Sequence, residues 1–116
     1  MIFKENTMSV AAKDRRSSLL GEVSLGEMSD FFKVMSDKTR LRILVELLDG
    51  SLCVMHISER VGMSQSAISH QLAILRKADL VRVKRNGKTI VYSISDEHVR
   101  LMLDMALLHV NEEKRA

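Results

Sequence analysis

Near the C-terminus, within DEHVRLMLDMALLHVNEE, stand four residues of types able to ligate divalent metals: Asp96, His98, His109 and Glu112. Two imidazole nitrogens and two carboxylate oxygens make a donor set without thiolate. It suits tetrahedral Zn²⁺, admits Co²⁺ as a substitute, and disfavours Cu(I) or iron–sulfur chemistry. Four protein ligands leave no position for a substrate water, so the set points to sensing rather than hydrolysis. The spacing then imposes a constraint. On one helix His98 and His109 share a face but stand about 16 Å apart at ~1.5 Å per residue, too far for one ion. His98, Met102, Met105, His109 and Glu112 step along that face at intervals of three and four. An antiparallel helix from a second copy would bring Asp96 and His98 of one chain to His109 and Glu112 of the other, giving two identical sites per dimer. The plainer alternative is that the acids answer the helix macrodipole and the histidines are ordinary half-buried ones.

The elements that must position these residues follow from periodicity. After Ser24, the residues Met28, Phe31, Phe32 and Met35 fall at helical spacing, and Leu41, Leu44, Val45 and Leu48 repeat it beyond a cap at Ser36 or Asp37. Gly50 ends that second helix. A third covers about residues 54 to 61 and stops at Gly62, where a sharp helix–helix turn needs glycine. Ser64 caps a fourth, with Ile68, Leu72 and Leu75 on its buried side. From Leu80 the period changes to two: Val81 and Val83 alternate with Arg82 and Lys84, and Ile90, Tyr92 and Ile94 alternate beyond Asn86-Gly87. Asn-Gly between alternating runs predicts a hairpin whose two turn residues both take positive φ. Ser95 is expected to cap the final helix.

Two helices joined at Gly62, followed by a basic hairpin, make a winged helix-turn-helix. The fourth helix exposes Ser64, Gln65, Ser66, Ser69 and His70, short polar side chains able to reach base edges or phosphates in a major groove. Arg76 and Lys77 stand behind them, and Arg82, Lys84, Arg85 and Lys88 lie on the hairpin. A solvated helix and a charged turn would look similar singly, but the adjoining wing favours DNA binding. Charge distribution agrees. Between residues 57 and 95, Arg60, Arg76, Lys77, Arg82, Lys84, Arg85 and Lys88 face only Glu59 and Asp79, while the overall net charge is +3.

Composition sets the outer limits. A chain of 116 residues fits one domain with a core of its own. Apolar residues make up 46% and aromatics 3%, so Leu, Ile, Val and eight Met must fill that core; the absence of Pro favours helices. The single Cys53 rules out an internal disulfide and fits a reducing cytosol. No run approaches the ~20 apolar residues of a membrane span, and charges stand where a secretory leader would need an apolar block. A soluble cytoplasmic protein without membrane or small organic substrate is expected. Residues 1–22 lack sustained periodicity and read as a flexible N-terminal arm. Residues 23–116 read as one DNA-binding and dimerisation domain, mainly α, with about five helices and a two-stranded wing.

CVMHISERVGMSQSAISHQLAILRKADLVRVKRNGKTIVYSI resembles the ArsR/SmtB family of bacterial metal-responsive repressors. FFKVMSDKTRLRIL, the SAISHQL recognition helix and the RNGKTIVYSI wing carry the likeness, which extends over about residues 25 to 113. The resemblance implies a homodimeric transcription regulator, not an enzyme, that blocks a promoter when metal-free and releases it when metal binds. D-x-H-(x10)-H-x2-E also looks like the C-terminal-helix zinc site of the family's zinc sensors, matching at all four positions. Other members bind softer metals such as cadmium or lead at the third helix, through a cysteine pair plus arm ligands. Here Cys53 matches the first cysteine, Met55 replaces the second, and the first 22 residues contain no Cys or His. Cys53 and His56 therefore offer half of a second metal site. The alternatives are a Cys53-based redox or Cd/Pb-type sensor on the same fold, or a constitutive DNA-binding module.

Overall fold

The computed structural model describes residues 2–21 and 24–115, with side chains for 11–21 and 24–112. The chain divides into two compact units, residues 1–33 and 34–116. The boundary expected at 22/23 lies outside the described residues.

In the first unit, helix α1 spans Ile2–Leu20. The segment read from the sequence as an arm without sustained periodicity is thus helical over its described residues. Its described side chains, residues 11–20, are exposed apart from a half-buried Ala12, so no apolar stripe marks the helix in the sequence. Helix α2, Leu25–Ser36, begins in this unit with a reciprocal capping box. Glu27 N–H donates to Ser24 Oγ at 3.0 Å, and Ser24 N–H donates to Glu27 Oε1 at 3.2 Å. The Phe31 and Phe32 rings meet edge-on at 5.5 Å.

The second unit takes in the end of α2 and then runs through α3 (Lys38–Glu46), a 3-10 turn (Leu47–Asp49), β1 (Leu52–Cys53), α4 (Val54–Val61), α5 (Gln65–Lys77), β2 (Val81–Asn86), β3 (Thr89–Ile94) and α6 (Glu97–Arg115). Asp37, rather than Ser36, caps α3 by accepting the Arg40 N–H at 3.1 Å. The buried stripe of α3 is Ile43 and Leu44, continued by Leu47, while Leu41 stays exposed. That is one step round the helix from the expected Leu41, Leu44, Val45 and Leu48, because the flanking apolar residues fit either phase. Ile57 of α4, Ile68, Leu72 and Leu75 of α5, and Leu80 and Val81 at the start of the wing complete a fully buried core. Val99 and Leu103 add the base of α6 to it.

The sheet is antiparallel with order β1-β3-β2, one strand more than expected. Leu52 pairs with Tyr92 and Cys53 with Val91, so β1 stitches the start of α4 to the wing. Two residues are too few for any alternation to reveal them. The wing turn is shifted by one residue: Asn86 pairs with Thr89, leaving Gly87 and Lys88 as the turn. Only Gly87 takes positive φ, at +67°. Glycine at the first turn position, rather than Asn-Gly at both, sets this hairpin. The final helix is capped by Asp96, not Ser95. Asp96 Oδ1 accepts the Val99 N–H at 3.1 Å, and Ser95 is buried with its N–H on Leu80 O. Among the described residues no helix is long and apolar enough to cross a membrane.

Candidate nucleic-acid interface and metal-ligating helix

Gly62 takes φ +78° and its N–H returns to Ser58 O at 2.8 Å, closing α4 in the left-handed conformation that glycine tolerates. The Ser58 hydroxyl donates to Met63 O, which tightens the same turn. Ser64 then opens α5, with its Oγ accepting the Ala67 N–H at 3.1 Å. Of the residues expected on the outer side of α5, Ser64, Gln65, Ser66, Ser69 and His70 are all exposed. Ser64 therefore has a structural duty as well, since its oxygen is held by the cap.

Sequence reasoning missed the residue that orients α5. Arg40 of α3 donates from Nε to Val34 O at 2.9 Å and from Nη1 to Gln71 Oε1 at 3.3 Å. One guanidinium thus ties the end of α2, the start of α3 and the middle of α5 together. KTRLRIL holds two arginines, and helical periodicity does not distinguish Arg40 from Arg42, which instead pairs with Glu46. At its other end, α5 closes with Asp79 in a left-handed conformation, φ +59°, and Leu80 N–H on Leu75 O at 2.9 Å. Leu80 O accepts the Ser95 N–H at 3.1 Å, so the exit of α5 is bonded to the residue before α6.

On the wing, Arg82, Lys84, Arg85 and Lys88 are exposed. Val81 is buried and Val83 half-buried, so alternation turns Arg82 and Lys84 outward. Lys88 occupies the second turn position. An exposed polar helix face beside a basic two-stranded wing is the arrangement that sets a helix in a major groove and cations on flanking phosphates.

A profile of the bacterial regulatory proteins of the arsR family matches residues 37–83, the segment from the α3 cap to the wing. The HTH-type transcriptional regulator NmtR of Mycobacterium tuberculosis is 39% identical over 86% of this chain and 83% of its own length. The chain belongs to the ArsR/SmtB family of winged-helix, metal-responsive regulators. Its relatives are transcriptional regulators, not enzymes. Solved structures agree. The AntR antimony-specific transcriptional repressor superposes with TM-score 0.70 at 38% identity, covering 79% of this chain and 84% of that one. A homodimeric winged helix-turn-helix DNA-binding domain from Mycobacterium bovis gives TM-score 0.72 at 27% identity, covering 86% and 88%. The family includes repressors such as the SmtB homolog of Synechocystis, and homodimeric DNA-binding domains.

Within that frame, α6 carries the four expected metal ligands. Asp96 Oδ1 lies 3.2 Å from His98 Nδ1, and the His98 side chain is 90% exposed. The Val99 N–H, and after it the nearby His98, holds the Asp96 carboxyl below the usual aspartate range. His109 and Glu112 are exposed towards the far end of the helix, about 16 Å away at ~1.5 Å per residue. Asp96 and His98 thus come together, and His109 and Glu112 stay apart from them. Among the described residues no three His, Cys, Asp or Glu side chains of the one chain gather where they could hold an ion.

Between the two pairs α6 is apolar and uncovered. Leu101, Met105 and Leu108, at i, i+4 and i+7, are all more than half exposed. The base of the helix is fixed instead by Val99, Leu103 and the Arg100 guanidinium, which donates to Leu48 O. Cys53 is half-buried in β1 and not in a disulfide; His56, one turn on in α4, is exposed. These two belong to no group of three donors among the described residues.

Proposed function

We propose that this protein is a Zn²⁺-responsive transcriptional repressor. As a metal-free homodimer in the cytoplasm it occupies operator DNA, and it leaves when zinc binds. Ser64, Gln65, Ser66, Ser69 and His70 face the major groove, and Lys84, Arg85 and Lys88 of the wing take flanking phosphates. Asp96 and His98 of one protomer, with His109 and Glu112 of the other, hold the metal, and Co²⁺ fits the same donors.

One observation carries this reading. α6 has a ligand pair at each end and an exposed apolar strip between them, so an antiparallel partner helix that covers the strip also completes two donor sets. The donors fit zinc in number and type, two nitrogens and two oxygens without thiolate. Asp96 can keep Oδ1 on the Val99 N–H and offer Oδ2, while the exposed His98 ring turns without disturbing the core. A bound ion supplies positive charge that joins the two helices and offsets the carboxylates. Because Ser95 N–H is bonded to Leu80 O, a change in how α6 leaves β3 reaches the end of α5 directly. Metal and DNA then oppose each other through one coupling free energy, and operator DNA must weaken zinc binding by the same factor.

The test is operator affinity measured without metal and with Zn²⁺, Co²⁺, Ni²⁺ or Cd²⁺, together with metal stoichiometry. Two Zn²⁺ per dimer with loss of DNA binding is expected. DNA binding indifferent to every metal would leave a constitutive module. Release that disappears in Cys53→Ser would point to Cys53 chemistry instead.

A further inference from the structure

The second half of α5 and strand β3 frame an open cavity of about 390 Å³ lined by Ser69, Leu72, Ala73, Arg76, Lys77 and Tyr92. Leu72 gives it an apolar floor, while two cations and two hydroxyl-bearing side chains stand round it. No carboxylate lines it, and among the described residues neither Arg76 nor Lys77 has a carboxylate partner. Arg76 and Lys77 both stand in the last turn of α5, where cations answer the helix's carbonyl ends, which accounts for their charges. It does not account for a cavity beside them with two hydroxyl groups on its rim.

We infer that this notch is a phosphodiester-binding site for the backbone of the DNA duplex, with Arg76 and Lys77 as the charged contacts and Tyr92 as a neutral donor. The ligand class follows from the lining. A phosphodiester carries one negative charge on two free oxygens, which suits a guanidinium fork, an ammonium and a hydroxyl together. DNA is favoured over a free anion by placement. Ser69 belongs both to the notch and to the exposed face that carries Ser66 and His70. From Ser69 to Arg76 the helix advances about 10 Å at ~1.5 Å per residue, close to the ~12 Å width of a major groove. A helix whose first half meets base edges therefore brings its last turn to the groove's rim, where phosphates run. The notch supplies register and affinity without reading sequence, in contrast to Gln65 and Ser66.

The inference rests on the DNA-binding part of the proposed function and needs none of the metal chemistry, so its test uses the metal-free, full-length protein. Affinity is measured against salt concentration for two duplexes, one selected by the wild-type protein from a random pool and one scrambled. Arg76→Gln/Lys77→Gln should weaken both duplexes by a similar factor and lower the log–log salt slope by ~0.9 for each phosphate no longer neutralised. Arg76→Lys/Lys77→Arg should restore the slope, and Tyr92→Phe should weaken binding several-fold with the slope unchanged. Thermal midpoints for every variant separate this from lost folding. An unchanged slope in the Gln double variant overturns the inference and leaves Arg76 and Lys77 as helix-end charge compensation. Titration with inorganic phosphate at constant ionic strength separates the free anion: phosphate binding lost in that variant while the DNA slope stays put would assign the notch to small anions. If the wild type binds neither duplex, the DNA-binding reading fails along with the notch.

Discussion

Helices α5 and α6 draw on the same apolar residues and end in opposite conditions. α5, 13 residues long, keeps Ile68, Leu72 and Leu75 fully buried and turns polar side chains outward. α6, 19 residues long, buries only Val99 and Leu103 among its described side chains, and leaves Leu101, Met105, Leu107, Leu108 and Val110 exposed. Helix α5 is finished within one chain: capped at Ser64, closed at Leu80 and held by Arg40. α6 is anchored at its base, and beyond that base its apolar side has no cover from its own unit. The proposed dimer interface along α6 would resolve the contrast, since an exposed apolar strip of this extent suits a partner surface. It would also account for the division of the proposed metal ligands between the two ends of α6. A site that is incomplete in one protomer responds to how two protomers are arranged.

The contrast breaks most sharply by substitution in the apolar residues of each helix. Leu72→Ala, at a fully buried position, should lower unfolding free energy by about 2–5 kcal/mol in denaturant titrations. Leu108→Glu should act differently: the second unit keeps its helical circular dichroism, sedimentation shows a monomer, and operator affinity falls by about 10²–10⁴ as the linked half-sites separate. If Leu108→Glu lowers the unfolding free energy as much as Leu72→Ala does, α6 is core and the comparison fails. At the start of α5, Ser64→Ala should cost about 1 kcal/mol through the lost cap, with a further loss of DNA affinity in the folded protein.

The smallest effect concerns Asp96 and pH. Its carboxyl titrates below the usual aspartate value of ~3.9 because the Val99 N–H and His98 favour the charged form. Such a group contributes stability that is present above the unfolded value and lost as pH falls through the folded one. The stability difference between wild type and Asp96→Asn should therefore be full at neutral pH and shrink below about pH 4. A difference that grows on acidification would contradict the cap. Zinc affinity should also fall on acidification, because protons and metal compete for the same donors.

Much of the fold can be read from the chain because its signals are local. Gly62 and Ser64 state the helix-turn-helix by backbone conformation and capping, and the stripe Ile68, Leu72, Leu75 is buried as its spacing requires. Where two local signals compete, the sequence decides less. Asn86-Gly87 and Gly87-Lys88 are both acceptable turns, and cross-strand register selects the second. Ser95 and Asp96 can each cap α6, and the bond from Ser95 N–H to Leu80 O draws Ser95 inward and leaves Asp96 to cap. Non-local features leave no trace in any window: β1 exists because β3 pairs with it, and Arg40 matters because Gln71 lies opposite. α1 escapes notice for the converse reason, since its described side chains bury almost nothing. The proposed metal ligands are legible as residue types and spacing, whereas the proposed site needs a second chain to assemble.

The central claim is that the ligands of each site come from two protomers, and mixing variants tests it most directly. Asp96→Ala/His98→Ala and His109→Ala/Glu112→Ala homodimers should each bind no zinc on α6 and keep DNA in its presence. Heterodimers formed from the two, separated by different affinity tags, should recover one zinc per dimer and zinc-dependent weakening of operator binding. Heterodimers that bind no zinc, or either homodimer retaining two, would contradict the account.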